Sequence, residues 1–123
     1  MGLNKYFFDS YAVIELVIGN KNYLEFIDEE VTITIFNLAE IYWSALLNLE
    51  ESKANRIYET YSGSVVPISD EVLKEAIKFR KEQKKRDLSY TDCIGYIYAK
   101  KNNFVFLTGD KEFENMANVK FVK

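Results

Sequence analysis

The chain has 123 residues, of which 48% are hydrophobic and 28% charged, and its formal net charge is −3. This length supports one compact domain with a real core but is short for two, so we expect a single domain over residues 1–123. The small number of Gly and Pro residues excludes disordered and fibrous classes. A lone Cys93 excludes an internal disulfide framework. Without a membrane-length apolar run or a signal-peptide pattern, we expect a cytoplasmic protein that does not enter membranes.

The first half of the chain predicts two strands and three helices. KYFF is typical of a buried strand, and SYAVIELVIGNKNYLEFIDE predicts a helix interrupted at the turn signal Gly19 and Asn20. The β-branched segment VTITIF predicts a second strand. The apolar segment NLAEIYWSALLNL and the more polar KANRIYETYS predict the next two helices.

The second half predicts three more strands around two longer helices. VVPIS predicts a short third strand with Pro67 at its end or edge. Ser69 or Asp70 caps the amphipathic helix EVLKEAIKFRKEQKKR, and YTDCIGYIYAKKN predicts another helix. FVFLT predicts a fourth strand, KEFENM a short helix and VKFVK a terminal strand. Strands alternating with helices indicate an α/β fold with a mainly parallel sheet of about five strands, covered on both faces.

Four acids are placed so that they could converge at one edge of this sheet. Asp9 and Asp110 directly follow predicted strands, and Glu40 and Asp92 lie in predicted first helical turns. Ligands of such folds bind beyond the carboxyl ends of the strands. Each acid can also be interpreted as a helix cap or as a partner of the helix dipole, since Asn37 to Glu40 and Ser89 to Asp92 match the capping pattern. Capping alone does not require all four acids near one edge.

Carboxylates that converge in this way would repel one another unless cations neutralise them. Mg²⁺ and Mn²⁺ prefer oxygen ligands, and a bound metal ion can turn water into a nucleophile for phosphoryl displacement. The chain has no histidine, so any acid–base chemistry would depend mainly on carboxylates and metal-bound water.

The segments DSYAVIEL, NLAEIYW, LSYTDCIGYIYAKKNN and FLTGDKEF, in this order, resemble a PIN domain, and in particular the VapC-type ribonuclease toxins of toxin–antitoxin pairs. The resemblance covers nearly the whole chain. It implies a three-layer α/β/α sandwich and an endoribonuclease that depends on one or two Mg²⁺ or Mn²⁺ ions. It further implies an RNA substrate, a cognate antitoxin and a homodimer.

The resemblance also implies roles for particular residues. Asp9, Glu40, Asp92 and Asp110 match the family's acidic quartet, with Asp9 and Asp92 as the principal metal ligands. Ser10 and Thr108 would orient carboxylates or waters through their hydroxyl groups. Relatives often carry a further Asp two positions after the fourth acid, where this chain has Glu112, so Glu112 is either a further member of the site or a residue that faces solvent.

The charge distribution and the aromatic residues leave alternatives open. Residues 1–60 carry 10 acids and 4 bases, whereas residues 61–123 carry 9 acids and 12 bases. The basic run is either a solvated helix face or an RNA-phosphate surface, and its members are Lys78, Arg80, Lys81, Lys84, Lys85 and Arg86.

Four aromatic residues near the acids either stack on bases or form core and interface contacts; they are Tyr11, Tyr42, Trp43 and Tyr90. Cys93 is expected in the core.

Three other functions compete with the ribonuclease. A non-catalytic PIN-fold module that binds RNA or protein would keep the fold, although it would not need four intact acids. A response-regulator-like receiver would need an acidic pair after the first strand, where this chain has only Asp9 followed by Ser10. A structure-specific DNA nuclease of related architecture would need DNA-threading elements for which this chain is too short.

Overall fold

Three short parallel strands form the central sheet. The computed structural model of the protein describes residues 4–123. The strands lie in the order β1, β2, β3, so that β2 is central; they are β1 Tyr6–Phe8, β2 Val105–Thr108 and β3 Val119–Phe121. In the register of the first pair, Phe7 lies opposite Phe106 and Phe8 opposite Leu107. The carboxyl ends of β1 and β2 therefore lie side by side.

Five α-helices surround the sheet, in the order that the sequence predicts. They are α1 Ser10–Ile18, α2 Ile35–Asn48, α3 Glu51–Ser62, α4 Asp70–Glu82 and α5 Tyr90–Lys101. The predicted interruption after α1 is confirmed, because Gly19 ends the helix with a φ of 82°, a left-handed conformation that favours glycine. Beyond it lies a 3₁₀ segment, Lys21–Phe26. The prediction of a short helix in KEFENM is wrong, because the structure has only a single 3₁₀ turn there, Lys111–Phe113.

Alternating side chains of the strands build two cores, one on each face of the sheet. Phe7 and Phe106 pack with buried residues of α4 and α5, including Val72 and Ile94. Phe8 and Leu107 pack on the other face with residues of α1 and α2. This alternation follows from the two-residue period of a strand. The predicted α/β/α sandwich is thereby confirmed.

The prediction of about five strands is wrong in number, since residues 4–123 contain three. VTITIF does not continue as a strand because a reciprocal cap starts α2 within it. The Thr34 hydroxyl accepts a hydrogen bond from Asn37 N, and Asn37 Oδ1 accepts one from Thr34 N. This capping box places Ile35 and Phe36 in the helix. The local cap therefore outweighs the β-preference of the branched residues.

The two missing strands persist as short extended segments beside β1. Phe8 N donates to Thr32 O at 2.9 Å, and Ile33 forms a single parallel bridge with Val65. Val66 N then donates to Ile33 O. Pro67 follows and has no N–H to extend the ladder. Isolated backbone hydrogen bonds therefore extend the sheet beyond β1, but they are too few for either segment to form a strand.

Within residues 4–123, no helix combines the length and the apolar character needed to cross a bilayer.

Candidate active site

Asp9 lies at the point where β1 becomes α1. Its N–H continues the sheet ladder to Leu107 O at 3.0 Å, and its side chain then caps the helix by accepting from Ser10 N. The second carboxylate oxygen accepts from the Thr108 hydroxyl at 2.7 Å. Asp9 is only 3% exposed. A carboxylate this deeply buried is costly to ionise without a cation nearby.

Glu40 reaches the same place from α2. It is the sixth residue of that helix rather than a member of its first turn, because the N-cap is Thr34 and not the predicted Asn37. Ser10 Oγ donates to Glu40 Oε1 at 2.6 Å, and Asn37 Nδ2 donates to Ser10 Oγ at 2.9 Å. A chain of hydrogen bonds therefore connects the cap of α2, the first turn of α1 and the Glu40 carboxylate.

Asp92 occupies the first turn of α5, as predicted. It closes a capping box in which Asp92 Oδ2 accepts from Ser89 N at 2.9 Å and Asp92 N donates to Ser89 Oγ at 3.0 Å. Capping engages Oδ2, so Oδ1 remains available to another partner. The structural and the functional interpretations of this acid are therefore compatible.

Asp110 follows β2, and Asp9 follows the neighbouring strand β1. Its side chain caps the next 3₁₀ turn by accepting from Glu112 N at 2.9 Å. Its N–H donates to Thr108 Oγ1 at 3.0 Å, the same hydroxyl that donates to Asp9. Thr108 is fully buried and thereby fixes the spacing between the two acids.

The electrostatics indicate that the four acids share one site. Burial, followed by the charge of Asp92, raises the pKa of Asp9 from 3.8 to about 8, with smaller contributions from Glu40 and Asp110 and an opposing one from the Thr108 hydroxyl. Burial also raises the pKa of Asp92 to about 6, against the Ser89 hydrogen bonds and with the help of Asp110 and Glu40. The site therefore holds more negative charge than its own donors balance.

The donor set suits a hard divalent cation, since it consists of carboxylate oxygens next to hydroxyl groups. In the part of the chain that the structure describes, no three potential ligands are already drawn together as a ready-made metal site. The residues therefore fit a cation chemically, and binding would require their side chains to move closer.

Gly109 separates Thr108 from Asp110 at a position with no room for a side chain. A Cβ there would overlap the Tyr11 ring and the backbone carbonyl of Val122, whereas a Cβ at Gly63 would meet nothing within 4 Å. We expect Gly109→Ala to lower the free energy of unfolding by about 1–3 kcal/mol and Gly63→Ala to leave it nearly unchanged. Urea unfolding of both variants tests this, and equal stabilities would contradict the crowding at Gly109.

The four aromatic residues near the acids in sequence are dispersed in space, and the Tyr11 ring packs beside Gly109, next to Asp110. Tyr42 donates to Asn55 Oδ1 and stacks edge-on with Tyr58, so it belongs to the contact between α2 and α3. Trp43 is 64% exposed. Tyr90 lies under the guanidinium of Arg80 at the start of α5. Cys93 is buried in the core, as expected.

Most of the predicted basic residues surround a cleft between the end of α4 and the start of α5. The predicted helix ends early, at Glu82, and the following residues form a turn. Four bases line the cleft, namely Arg80, Lys81, Lys84 and Arg86. Lys78 and Lys85 are exposed but do not line it.

Sequence reasoning missed two positioning residues. Asn37 was assigned only a capping role, yet it also holds Ser10 through its amide. Glu112 does not simply face solvent, because its carboxylate accepts from Asp87 N at 3.2 Å and its carbonyl accepts from Arg86 Nη1 at 2.7 Å. Neither contact had a local signal, since the partners are 25 or more residues apart in the chain.

These features define a class of protein, a parallel α/β/α domain with an acidic site beyond the carboxyl ends of two adjacent strands. A family model described as the PIN domain matches residues 6–119, and the chain belongs to this family. The resemblance that the sequence indicated is thus confirmed. A search of curated protein sequences finds no significant match.

Solved structures with similar folds include several toxin proteins. VapC20 of Mycobacterium tuberculosis, described as a sarcin–ricin loop cleaving toxin, has a TM-score of 0.78 at 14% identity, covering 97% of this chain and 100% of that chain. A toxin–antitoxin complex from Klebsiella pneumoniae gives 0.73 at 21% identity, with 94% and 96% covered. VapBC2 of Rickettsia felis, bound to a promoter DNA fragment, gives 0.72 at 15% identity, with 96% and 98% covered. At these identities the similarity concerns the fold.

Proposed function

We propose that this protein is a divalent-metal-dependent endoribonuclease and the toxin of a toxin–antitoxin pair. The observation that carries the proposal is the grouping of acids around the buried Asp9. The Thr108 hydroxyl links Asp9 to Asp110, Ser10 donates to Glu40, and burial and three neighbouring carboxylates raise the pKa of Asp9. Such an arrangement is unfavourable for the fold alone and becomes favourable when a divalent cation binds. Strongly perturbed carboxylates in a family of nucleases are therefore candidates for the active site.

The four acids would hold the cation, with Asp9 and Asp92 as principal ligands and Glu40 and Asp110 completing the site directly or through water. When bound, Mg²⁺ or Mn²⁺ supplies Lewis-acid activation of water and neutralises charge at the phosphate. One or two ions are compatible with four carboxylates. The chemistry is hydrolysis of an RNA phosphodiester bond, with the chain itself providing charge and orientation.

The hydroxyl groups of Ser10 and Thr108 would keep the carboxylates oriented. Ser10 Oγ donates to Glu40 and is itself held by Asn37, so one Glu40 oxygen has a fixed direction. Thr108 Oγ1 donates to Asp9 Oδ2 and accepts from the backbone N–H of Asp110, so it does not occupy the Asp110 carboxylate. Oriented ligands of this kind reduce the reorganisation needed when a cation and a phosphate bind.

Support for RNA and for an antitoxin comes from the proteins with similar folds. VapC20 is described as cleaving the sarcin–ricin loop, and the Klebsiella and Rickettsia structures are described as toxin–antitoxin assemblies. We assign the corresponding partners to this chain, an RNA substrate and a cognate antitoxin, in the cytoplasm.

An apolar groove offers a surface for protein partners. It has a volume of about 370 Å³ and lies between α1, α2 and α3, with Ile14, Ile18, Ile41, Leu49 and Ile57 among its lining residues. Ile18 and Leu49, which both line the groove, are 68% and 41% exposed. Exposed apolar side chains grouped in this way are typical of interfaces. We propose a homodimer and a cognate antitoxin as partners of this chain, as the family resemblance implies.

The test of the function is cleavage of a labelled, structured RNA by antitoxin-free protein. We expect fragments with Mg²⁺ or Mn²⁺ and none with EDTA, because the carboxylates need a cation to act on a phosphodiester. A metal-loaded, folded protein that binds RNA without cutting it would instead support the non-catalytic binding module. Cleavage that persists in EDTA would contradict the metal dependence.

A further inference from the structure

A second feature of the molecule is the basic cleft, defined as the space between the end of α4 and the start of α5. It has a volume of about 500 Å³, and its lining includes Arg80, Lys81, Lys84, Arg86, Asp87 and Tyr90. That volume lies in the range of pockets for small ligands, roughly 300–1,000 Å³, and suits one nucleotide. Four bases against one acid make this cleft locally positive in a chain whose net charge is −3.

Arg80 and Tyr90 form a prearranged stack inside the basic cleft. The guanidinium carbon lies 4.3 Å from the centroid of the Tyr90 ring, and Arg80 Nε donates to Leu88 O at 2.9 Å. Tyr90 nevertheless remains 58% exposed. An arginine on one face leaves the other face of the ring available, and unpaired bases stack on such rings with little dependence on sequence.

Hydrogen bonds connect the basic cleft to the acidic site on both sides. Ser89, next to Tyr90, donates its N–H to Asp92 Oδ2. Arg86 Nη1 donates to the carbonyl of Glu112, whose own N–H donates to Asp110 Oδ1. The cleft is thus fixed in position relative to two of the four acids, Asp92 and Asp110.

None of the four bases of the basic cleft forms a salt bridge with an acid of residues 4–123. Across residues 4–123, the salt bridges present are those of Lys101 with Glu71 and Glu75. Arg86 binds only neutral groups, a backbone carbonyl and the side chain of Gln83. Uncompensated bases of this kind favour an anionic ligand, and a stacking ring among them favours nucleic acid over an acidic peptide.

We infer that the basic cleft holds one nucleotide of single-stranded RNA adjacent to the bond that is cut, with its base on Tyr90 and its phosphate among the surrounding bases. This inference rests on the proposed ribonuclease function for the identity of the ligand. It assigns a substrate subsite that is separate from the carboxylates and that positions the RNA across them.

The test is fluorescence anisotropy with a short, labelled oligoadenylate in EDTA, so that binding is measured without cleavage. Tyr90→Leu removes the ring, and Tyr90→Phe keeps it. Lys81→Gln with Lys84→Gln removes two charges from the basic cleft, and Lys74→Gln with Lys78→Gln removes two exposed charges of α4 that lie outside it. Thermal unfolding of every variant verifies that the fold is retained.

We expect Tyr90→Leu to weaken binding roughly 5- to 20-fold and Tyr90→Phe to bind like the wild type, since stacking needs only the ring. The Lys81 and Lys84 pair should weaken binding and reduce the salt dependence by about one unit of slope, whereas the control pair should not. Equal behaviour of the two lysine pairs, or unchanged binding by Tyr90→Leu, would overturn the inference. Displacement of the RNA by an oligoglutamate of equal charge, as efficiently as by unlabelled RNA, would identify an acidic-peptide site instead.

Failure of the inference is distinguishable from failure of the proposed function. A wild type that cuts RNA with Mg²⁺, together with Tyr90 and lysine variants whose KM is unchanged, would overturn the subsite alone. If the wild type never cuts RNA but Tyr90→Leu binds oligoadenylate more weakly than the wild type, the result would support nucleotide binding in the basic cleft and overturn the proposed nuclease.

Discussion

Replacing Asp92 with asparagine should reduce metal-dependent RNA cleavage by roughly 100- to 10,000-fold, because it removes one of the two acids that we propose as principal cation ligands. Charge stabilisation by a metal ion is worth several kcal/mol in the transition state, and each 1.36 kcal/mol corresponds to a factor of ten in rate. The measurement is the initial rate of cleavage of a labelled RNA at saturating Mg²⁺ or Mn²⁺.

The fold should survive this substitution. Asp92 Oδ2 accepts a hydrogen bond from Ser89 N as part of the cap of α5, and the amide oxygen of asparagine can accept the same bond. The substitution also removes a charge that the other acids repel. The loss of activity would therefore report on the site rather than on unfolding.

Ser89→Ala provides the matched control. It removes the hydroxyl that accepts from Asp92 N and should cost about 1 kcal/mol of stability, as the loss of an N-cap does. The Asp92 carboxylate remains, so most of the cleavage activity should remain as well. An Asp92→Asn protein as active as the wild type, or a Ser89→Ala protein as inactive as Asp92→Asn, would contradict a ligand role for Asp92.

The placement of Asp9, Asp92 and Asp110 could be predicted from sequence because each depends on local signals. An acid directly after a buried strand projects at the carboxyl edge of a parallel sheet, and Asp92 follows Ser89 at the spacing of a capping box. All three residues lie where these rules place them. The alternation of strands and helices likewise indicated the layered fold.

Glu40 shows where local rules failed. Asn37 resembles an N-cap, and that interpretation put Glu40 in the first turn of its helix. The true cap, Thr34, starts α2 earlier because its hydroxyl and the Asn37 side chain bond to each other's backbone N–H groups. The same cap shortened the predicted strand VTITIF. Two local preferences competed for this segment, and only the tertiary structure decides between them.

The electrostatic state of the site could not be derived from sequence at all. The raised pKa of Asp9 depends first on its burial and then on acids brought in by three other elements. The contact between Ser10 and Asn37 joins residues 27 positions apart. Such relations follow from packing, which residue spacing does not encode.

The pH dependence of stability is the second large effect that we expect. The pKa of Asp9 in the folded, metal-free protein is about 8, above its ordinary value of 3.8. A carboxyl group whose pKa is raised by folding prefers to keep its proton in the folded state. Asp9 therefore does not lower the folding stability below about pH 4, and the stability that it removes increases as the pH rises from about 4 to 8. Asp92, with a pKa of about 6, adds to the cost in the lower part of this window.

Asp9→Asn should therefore be more stable than the wild type in EDTA at pH 8 and equally stable at pH 4. A pKa shift of one unit corresponds to 1.36 kcal/mol, so the gain at pH 8 is roughly 2–5 kcal/mol. For a domain of this size, that amounts to an increase in Tm of roughly 8–20 °C. Differential scanning fluorimetry across this pH range measures it. Asp28→Asn, the same change at an exposed position outside the site, should leave the pH profile unaltered.

Divalent cations should narrow the difference in stability between the two proteins, and enough metal should reverse it. We expect Mg²⁺ or Mn²⁺ to bind the folded wild type with its carboxylates ionised, and a ligand at 100 times its Kd adds about 2.7 kcal/mol of stability. The Tm of the wild type should therefore increase with added metal, more at pH 8 than at pH 5, while that of Asp9→Asn should change little. NaCl at matched ionic strength separates specific binding from screening. An equal metal response in both proteins would place the cation elsewhere, and no response in either would mean that the acidic site does not bind it.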